Sequence, residues 1–137
     1  MLRALAVVTL VLAAPAGAET GRPAPLGAGL EGAWRVVAVG GEALLPDDDV
    51  FVTLVEGQLS GKNGCNRIMG AFASEGATLR LGPLAGTRMA CPGRAAEVEA
   101  RVDAALASVT GWRRDGEALE LLAETGVALR ARPNDRP

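Results

Sequence analysis

The sequence predicts a mainly β, α+β domain: an antiparallel sheet curled toward a barrel, with one amphipathic helix. Three observations carry this. Short β-branched and apolar runs recur along the chain, closed by Gly- and Asp-containing turns. The connections between them are of hairpin length, which favours antiparallel pairing. One segment alone, residues 94–109, shifts to a spacing of three and four. A single helix is too few for a doubly wound parallel fold, so it is expected to cover an open face or end of the barrel.

The elements follow in order. Residues 1–18 have a basic start at Arg3, an apolar run over 4–14, and Pro15-Ala16-Gly17-Ala18. Ala16 and Ala18 give a small-x-small cleavage pattern, so a signal peptide cut after Ala18 is expected. The run is too short to span about 30 Å of hydrocarbon, and no lipoprotein cysteine follows it. These features predict a periplasmic or secreted protein. Residues 19–29 are rich in Gly, Pro and Ala and read as a flexible lead-in.

The domain itself is expected over residues 30–132, with 133–137 as a tail. Residues 34–39 and 50–55 form two apolar runs, separated by a loop containing Pro46 and Asp47-Asp48-Asp49. Residues 59–73 read as strand interrupted by glycines at 61, 64 and 70, which mark bulges, turns or close backbone approach. Residues 78–81 alternate, with Leu79 and Leu81 on one face. The helix carries Val98, Val102, Leu106 and Val109 on one stripe, and Glu97 stands four residues before Arg101, a favourable helical pair. Strands resume at 112–114, 117–122 and 127–132, for seven or eight in all. Leu119, Leu121, Val127, Leu129 and Ala131 are expected inward.

Composition excludes several chemistries. The 137 residues include no histidine and no tyrosine, and only two cysteines. A Ser-His-Asp relay, a His-ligated zinc and a four-thiolate metal site are therefore out of reach. The net charge of −2 offers no general attraction to nucleic acid. Asp47-Asp48-Asp49 lacks the spacing of a calcium loop and reads as a solvated charge run. Arg113, Arg114, Arg130 and Arg132 alternate outward and are expected to form a basic stripe on an exposed face. No cofactor and no metal is expected.

Cys65 and Cys91 are an even pair in an exported chain, which reads as a disulfide. A bridge across 26 residues would contribute about 3–4 kcal/mol through loop entropy. Two buried thiols, or a redox-active pair helped by Arg67 and Arg88, are the alternatives. Gly61 and Gly64 flank Lys62, but no Ser or Thr follows the lysine and strand continues on both sides, so a phosphate loop is not indicated. Asn63 and Asn66 are placed to bond nearby backbone in an irregular turn. Asn66 and Arg88 line a small polar site if the two cysteine segments meet.

Two stretches carry a family resemblance. The first is Ser60-Gly61-Lys62-Asn63-Gly64-Cys65-Asn66-Arg67, followed by Gly70 and Phe72. The second is Thr87-Arg88-Met89-Ala90-Cys91, just before the helix. With a Leu30-x-Gly32-x-Trp34 opening and a Leu119-x-Leu121 hairpin, the sequence resembles the META domain, the HslJ-like (heat shock protein HslJ-like) family. The resemblance implies a compact barrel-like domain with one helix, an envelope or secreted location, and links to stress tolerance or secretion. It implies no catalytic residues. The expectation is a monomeric, non-enzymatic binding module for a protein, peptide or small ligand. A hydrophobic-ligand or lipid carrier is the alternative, favoured by an unfilled barrel interior. A thiol oxidoreductase is a third.

Overall fold

The computed structural model describes residues 29–135. The expected signal segment, all but the last residue of the lead-in and the final two residues lie outside the described residues. Ten strands and one helix follow in chain order: β1 (Gly32–Val39), β2 (Glu42–Ala43), β3 (Val50–Val55), β4 (Gln58–Asn63), β5 (Arg67–Glu75), β6 (Thr78–Leu81), β7 (Ala85–Gly86), α1 (Arg94–Ala107), β8 (Gly111–Asp115), β9 (Ala118–Ala123) and β10 (Gly126–Pro133).

Every pairing is antiparallel, as short turns between alternating strands require. Eight strands run in the order β10-β9-β8-β6-β5-β4-β3-β1, and β1 pairs back onto β10 to close a barrel. Closure removes the exposed edges that an open sheet of this size would carry. The two-residue strands β2 and β7 sit outside the circuit, on β1 and β5.

The interior is filled. Leu54, Leu59, Leu79, Leu119 and Leu129 from the wall meet Val98, Val102 and Leu106 from α1, all fully buried in one cluster. The helix forms because its apolar positions recur every four residues among alanines. Its buried stripe packs into the barrel. The expected criterion for a carrier, an unfilled interior, is not met.

Trp34 lies at one end of the barrel, its indole N–H donating to the Leu30 carbonyl at 2.8 Å. The Arg114 guanidinium stacks over the Trp34 ring at 4.9 Å. Arg114 also donates to the carbonyls of Gly29, Gly116, Glu117 and Ala118. It lies exposed, as expected, with its donors taken up by these carbonyls.

The structure corrects three further expectations. Arg113 and Arg130 converge on the buried Glu120, at 2.8 and 3.2 Å, and Arg130 also meets Asp115 at 2.9 Å. These cross-strand pairs neutralise the expected basic stripe, because β9 brings a carboxylate between the arginines of β8 and β10. Asp48 is not solvated: it is buried, accepts the Leu45 amide at 2.6 Å, and takes a two-point ion pair from Arg94 at 2.7 and 2.6 Å. Arg94 holds the Asp48 carboxyl below the usual carboxylate range, against the opposing effect of burial. Arg101 pairs with Glu42 of β2 at 2.8 Å, not with Glu97, because β2 offers a carboxylate from outside the helix.

The expected strand over 59–73 is two strands, β4 and β5, with the reversal at 64–66. Gly64 has φ +97, and a Cβ there would lie 2.8 Å from Val98 of the helix. Gly61 lets β4 run close to β3, since a Cβ would strike the Phe51 carbonyl.

Candidate functional site: a cleft beside a stapled polar clasp

The reversal at 64–66 is built from its own side chains. Asn63 Oδ1 accepts the amides of Asn66, at 2.7 Å, and Cys65, at 3.2 Å. The Asn63 amide donates to the Asn66 carbonyl at 3.0 Å. This is the local capture of backbone that makes asparagine a turn residue.

Asn66 then reaches the second motif. Its Oδ1 accepts the Met89 amide at 2.7 Å and the Thr87 hydroxyl at 3.0 Å, and its Nδ2 donates to the Met89 carbonyl at 3.2 Å. Thr87 Oγ1 in turn accepts the Arg67 amide at 3.1 Å. Cys65 and Cys91 are bonded, as the even cysteine count suggests. The two motifs are thus joined covalently and through one asparagine side chain.

The helix completes the clasp. Asn66 Nδ2 donates to Glu99 at 3.1 Å, and Asn63 Nδ2 donates to Asp103 at 2.9 Å. Asn63 and Asn66 are 2 % and 3 % exposed, and among the described residues no buried side-chain polar atom lacks a partner. An unpaired buried amide would cost about 1–3 kcal/mol, so this completeness is what lets two asparagines sit in the wall.

A cleft of about 740 Å³ opens beside the clasp. One wall is the segment 82–88, which includes β7. The other is the α1 face that carries Glu99, Asp103 and Leu106. The floor is apolar, with Ile68, Leu81, Leu84 and Val109. It exists because β6 pairs with β8 at one position only, Thr78 with Gly111. The Leu79 amide still reaches the Thr110 carbonyl at 3.1 Å; beyond it the wall parts, and α1 fills the gap incompletely.

Of the residues singled out in the sequence, Asn63, Asn66, Thr87 and Arg88 line this cleft. Cys65 and Cys91 staple its end. Gly61, Gly64, Arg67 and Met89 do not line it: the glycines shape the strand and turn, and Arg67 and Met89 engage the clasp through their backbones. Sequence reasoning missed Glu99, Asp103 and the 82–86 wall. The carboxylates carried a signal, since they stand four apart and flank the Val98/Val102 stripe. Among the described residues, no group of acidic or cysteine side chains is arranged to hold a metal ion. No helix there is long and apolar enough to cross a membrane.

Barrel, inserted helix and stapled motifs together define a small, cross-linked, helix-filled β-barrel domain. The chain belongs to the META domain family, whose model matches residues 28–135. Three solved structures are similar. An NMR structure of a protein from Burkholderia xenovorans has a TM-score of 0.65 at 26 % identity, covering 94 % of this chain and all of the other. A second NMR structure has a TM-score of 0.60 at 21 % identity, covering 74 % and 88 %. The crystal structure of a DUF4847 family protein from Bacteroides vulgatus has a TM-score of 0.56 at 18 % identity, covering 78 % and 95 %. The last two likenesses are of fold alone. No curated protein matches the chain.

Proposed function

We propose that this META domain is an exported, non-enzymatic binding module that serves envelope stress tolerance or protein handling, and that it binds at the cleft between β7 and α1. The carrying observation is the cleft itself: about 740 Å³, apolar at its floor and lined by polar groups at one end. That combination is what ligand sites use for affinity and orientation. The leucine- and valine-filled interior weighs against a carrier that holds lipid inside the barrel. Cys65 is 3 % exposed and bridged to Cys91, which supports a staple over a redox centre. Export is supported by the amino-terminal pattern and by a disulfide, a bond that persists in oxidising compartments.

The test compares the protein with Ala107→Trp, which fills the cleft from an exposed helix position. Both are used to capture partners from envelope extracts. A partner retained by the protein and lost by the variant, at matched thermal stability, supports the reading. Identical capture by both removes the cleft as the site. Expression of the full chain should yield envelope-located protein whose first residue is Glu19. Retention of Met1 in the cytoplasm would remove export.

A further inference from the structure

We infer that the cleft takes an extended peptide segment bearing lysine or arginine, laid as an added strand along the outer edge of β7. This rests on the binding-module reading and names its ligand class.

The first support is an unused strand edge. Among the described residues β7 pairs with β5 alone, Ile68 opposite Gly86 and Met69 opposite Ala85. The Thr87 amide donates to the Arg67 carbonyl at 3.0 Å, and the Gly82 amide to the Ala71 carbonyl at 2.8 Å. The alternation of an antiparallel ladder then turns the backbone groups of Leu84 and Gly86 away from β5. That edge faces the cleft, and across it stands a helix, which offers no backbone partners of its own. An extended peptide supplies them, in the manner of strand addition.

Charge is the second support. Glu99 and Asp103 stand one helical turn apart on the opposite wall. Each accepts one amide hydrogen bond, from Asn66 and Asn63, which fixes its direction. Among the described residues neither forms an ion pair. Arg88, at the same cleft, leaves two carboxylates against one cation. A peptide cation reaching across from β7 meets both carboxylates. The apolar floor of Ile68, Leu81, Leu84 and Val109 takes the alternate, uncharged side chains, since successive residues of a strand point to opposite sides.

The experiment titrates the full exported domain with two blocked hexapeptides, one alternating valine and lysine, the other valine and glutamate. Amide NMR shifts report the site. The lysine peptide is expected to shift Leu84, Gly86 and Leu106, and to bind at least tenfold tighter than the glutamate peptide. Glu99→Gln/Asp103→Asn keeps hydrogen-bond acceptors for both asparagines, and is expected to cut lysine-peptide affinity about tenfold at unchanged melting temperature. N-methylation of the lysine peptide's backbone should abolish the shifts at Leu84 and Gly86. Equal affinity of the two peptides at these amides would overturn the cationic ligand while leaving the cleft a binding site. No shift at the cleft with either peptide would overturn the inference entirely. The capture comparison with Ala107→Trp then decides the binding-module reading separately.

Discussion

The two sides of the barrel are held in different ways. On the side of β9, β10 and β1 the ladders are long, each with one irregularity: β1 meets β10 from Trp34–Pro133 to Val39–Leu129, and β10 meets β9 from Gly126–Ala123 to Ala131–Leu119. Between β6 and β8 the ladder is one position long. There the gap opens as the cleft, lined by Asn63, Asn66 and the flank of the helix. Where backbone cannot pair with backbone, side chains take over, and they leave room. The sealed side gives the domain its core. The open side gives it a cleft.

Breaking the staple should have the largest effect. Replacing both cysteines by serine removes loop-entropy stabilisation of about 3–4 kcal/mol, which for a domain of this size lowers the melting temperature by roughly 15 °C or more. Hydrogen exchange should rise first at 64–67 and 87–91. Equal loss of protection in β9 and β10 would erase the contrast between the sides.

Asn66→Ala comes next. It strands the Met89 amide and the Glu99 partner, and should cost about 2 kcal/mol in urea denaturation. Cysteine connectivity should survive, so the loss isolates the polar half of the clasp. A change under a few tenths of a kcal/mol would mean that the disulfide alone holds the open side.

Arg114→Ala probes the sealed end. Loss of the Trp34 stack and of the carbonyl contacts should cost about 1 kcal/mol, with the cleft amides unmoved in NMR spectra. Shifts at Leu84 or Gly86 would show that the two regions are coupled.

The smallest effect concerns pH. Asp48 is lowered from 3.8 by Arg94. Its contribution is therefore present above pH ~4 and is lost as pH falls through the depressed value. Asp48→Asn should melt a few degrees lower at pH 7 and show a shallower decline in acid. Melting curves at pH 7 and pH 3 that run parallel for both proteins would remove the pair from the account.

Much of the fold was legible because it is local. The apolar run over 50–55 and the alternation over 78–81 match β3 and β6, and the apolar spacing read over 94–109 finds α1, which ends two residues earlier, at Ala107. What stayed hidden depends on partners distant in the chain. Glu97 looked like the mate of Arg101 until β2 supplied Glu42, 59 residues away in sequence. Arg114 gave no sign of the Trp34 ring or the Gly29 carbonyl, which lie far from it in the chain. Strands β2 and β7 are two residues long, too short for any period to register. The cysteine segments were legible as a pair. The cleft between the 82–88 segment and α1 was legible only at Asn66 and Arg88, since it arises from a ladder that stops.

The pairing of the first barrel strand with the last also governs timing. β1 begins at Gly32 and β10 ends at Pro133, so the ring stays open until nearly the whole domain has emerged. At a synthesis rate of about 5–20 residues per second, β1 waits several seconds for its second neighbour. During that interval the chain has no closed form to adopt, which is the condition a polypeptide needs if it is to be threaded through a narrow pore before it folds.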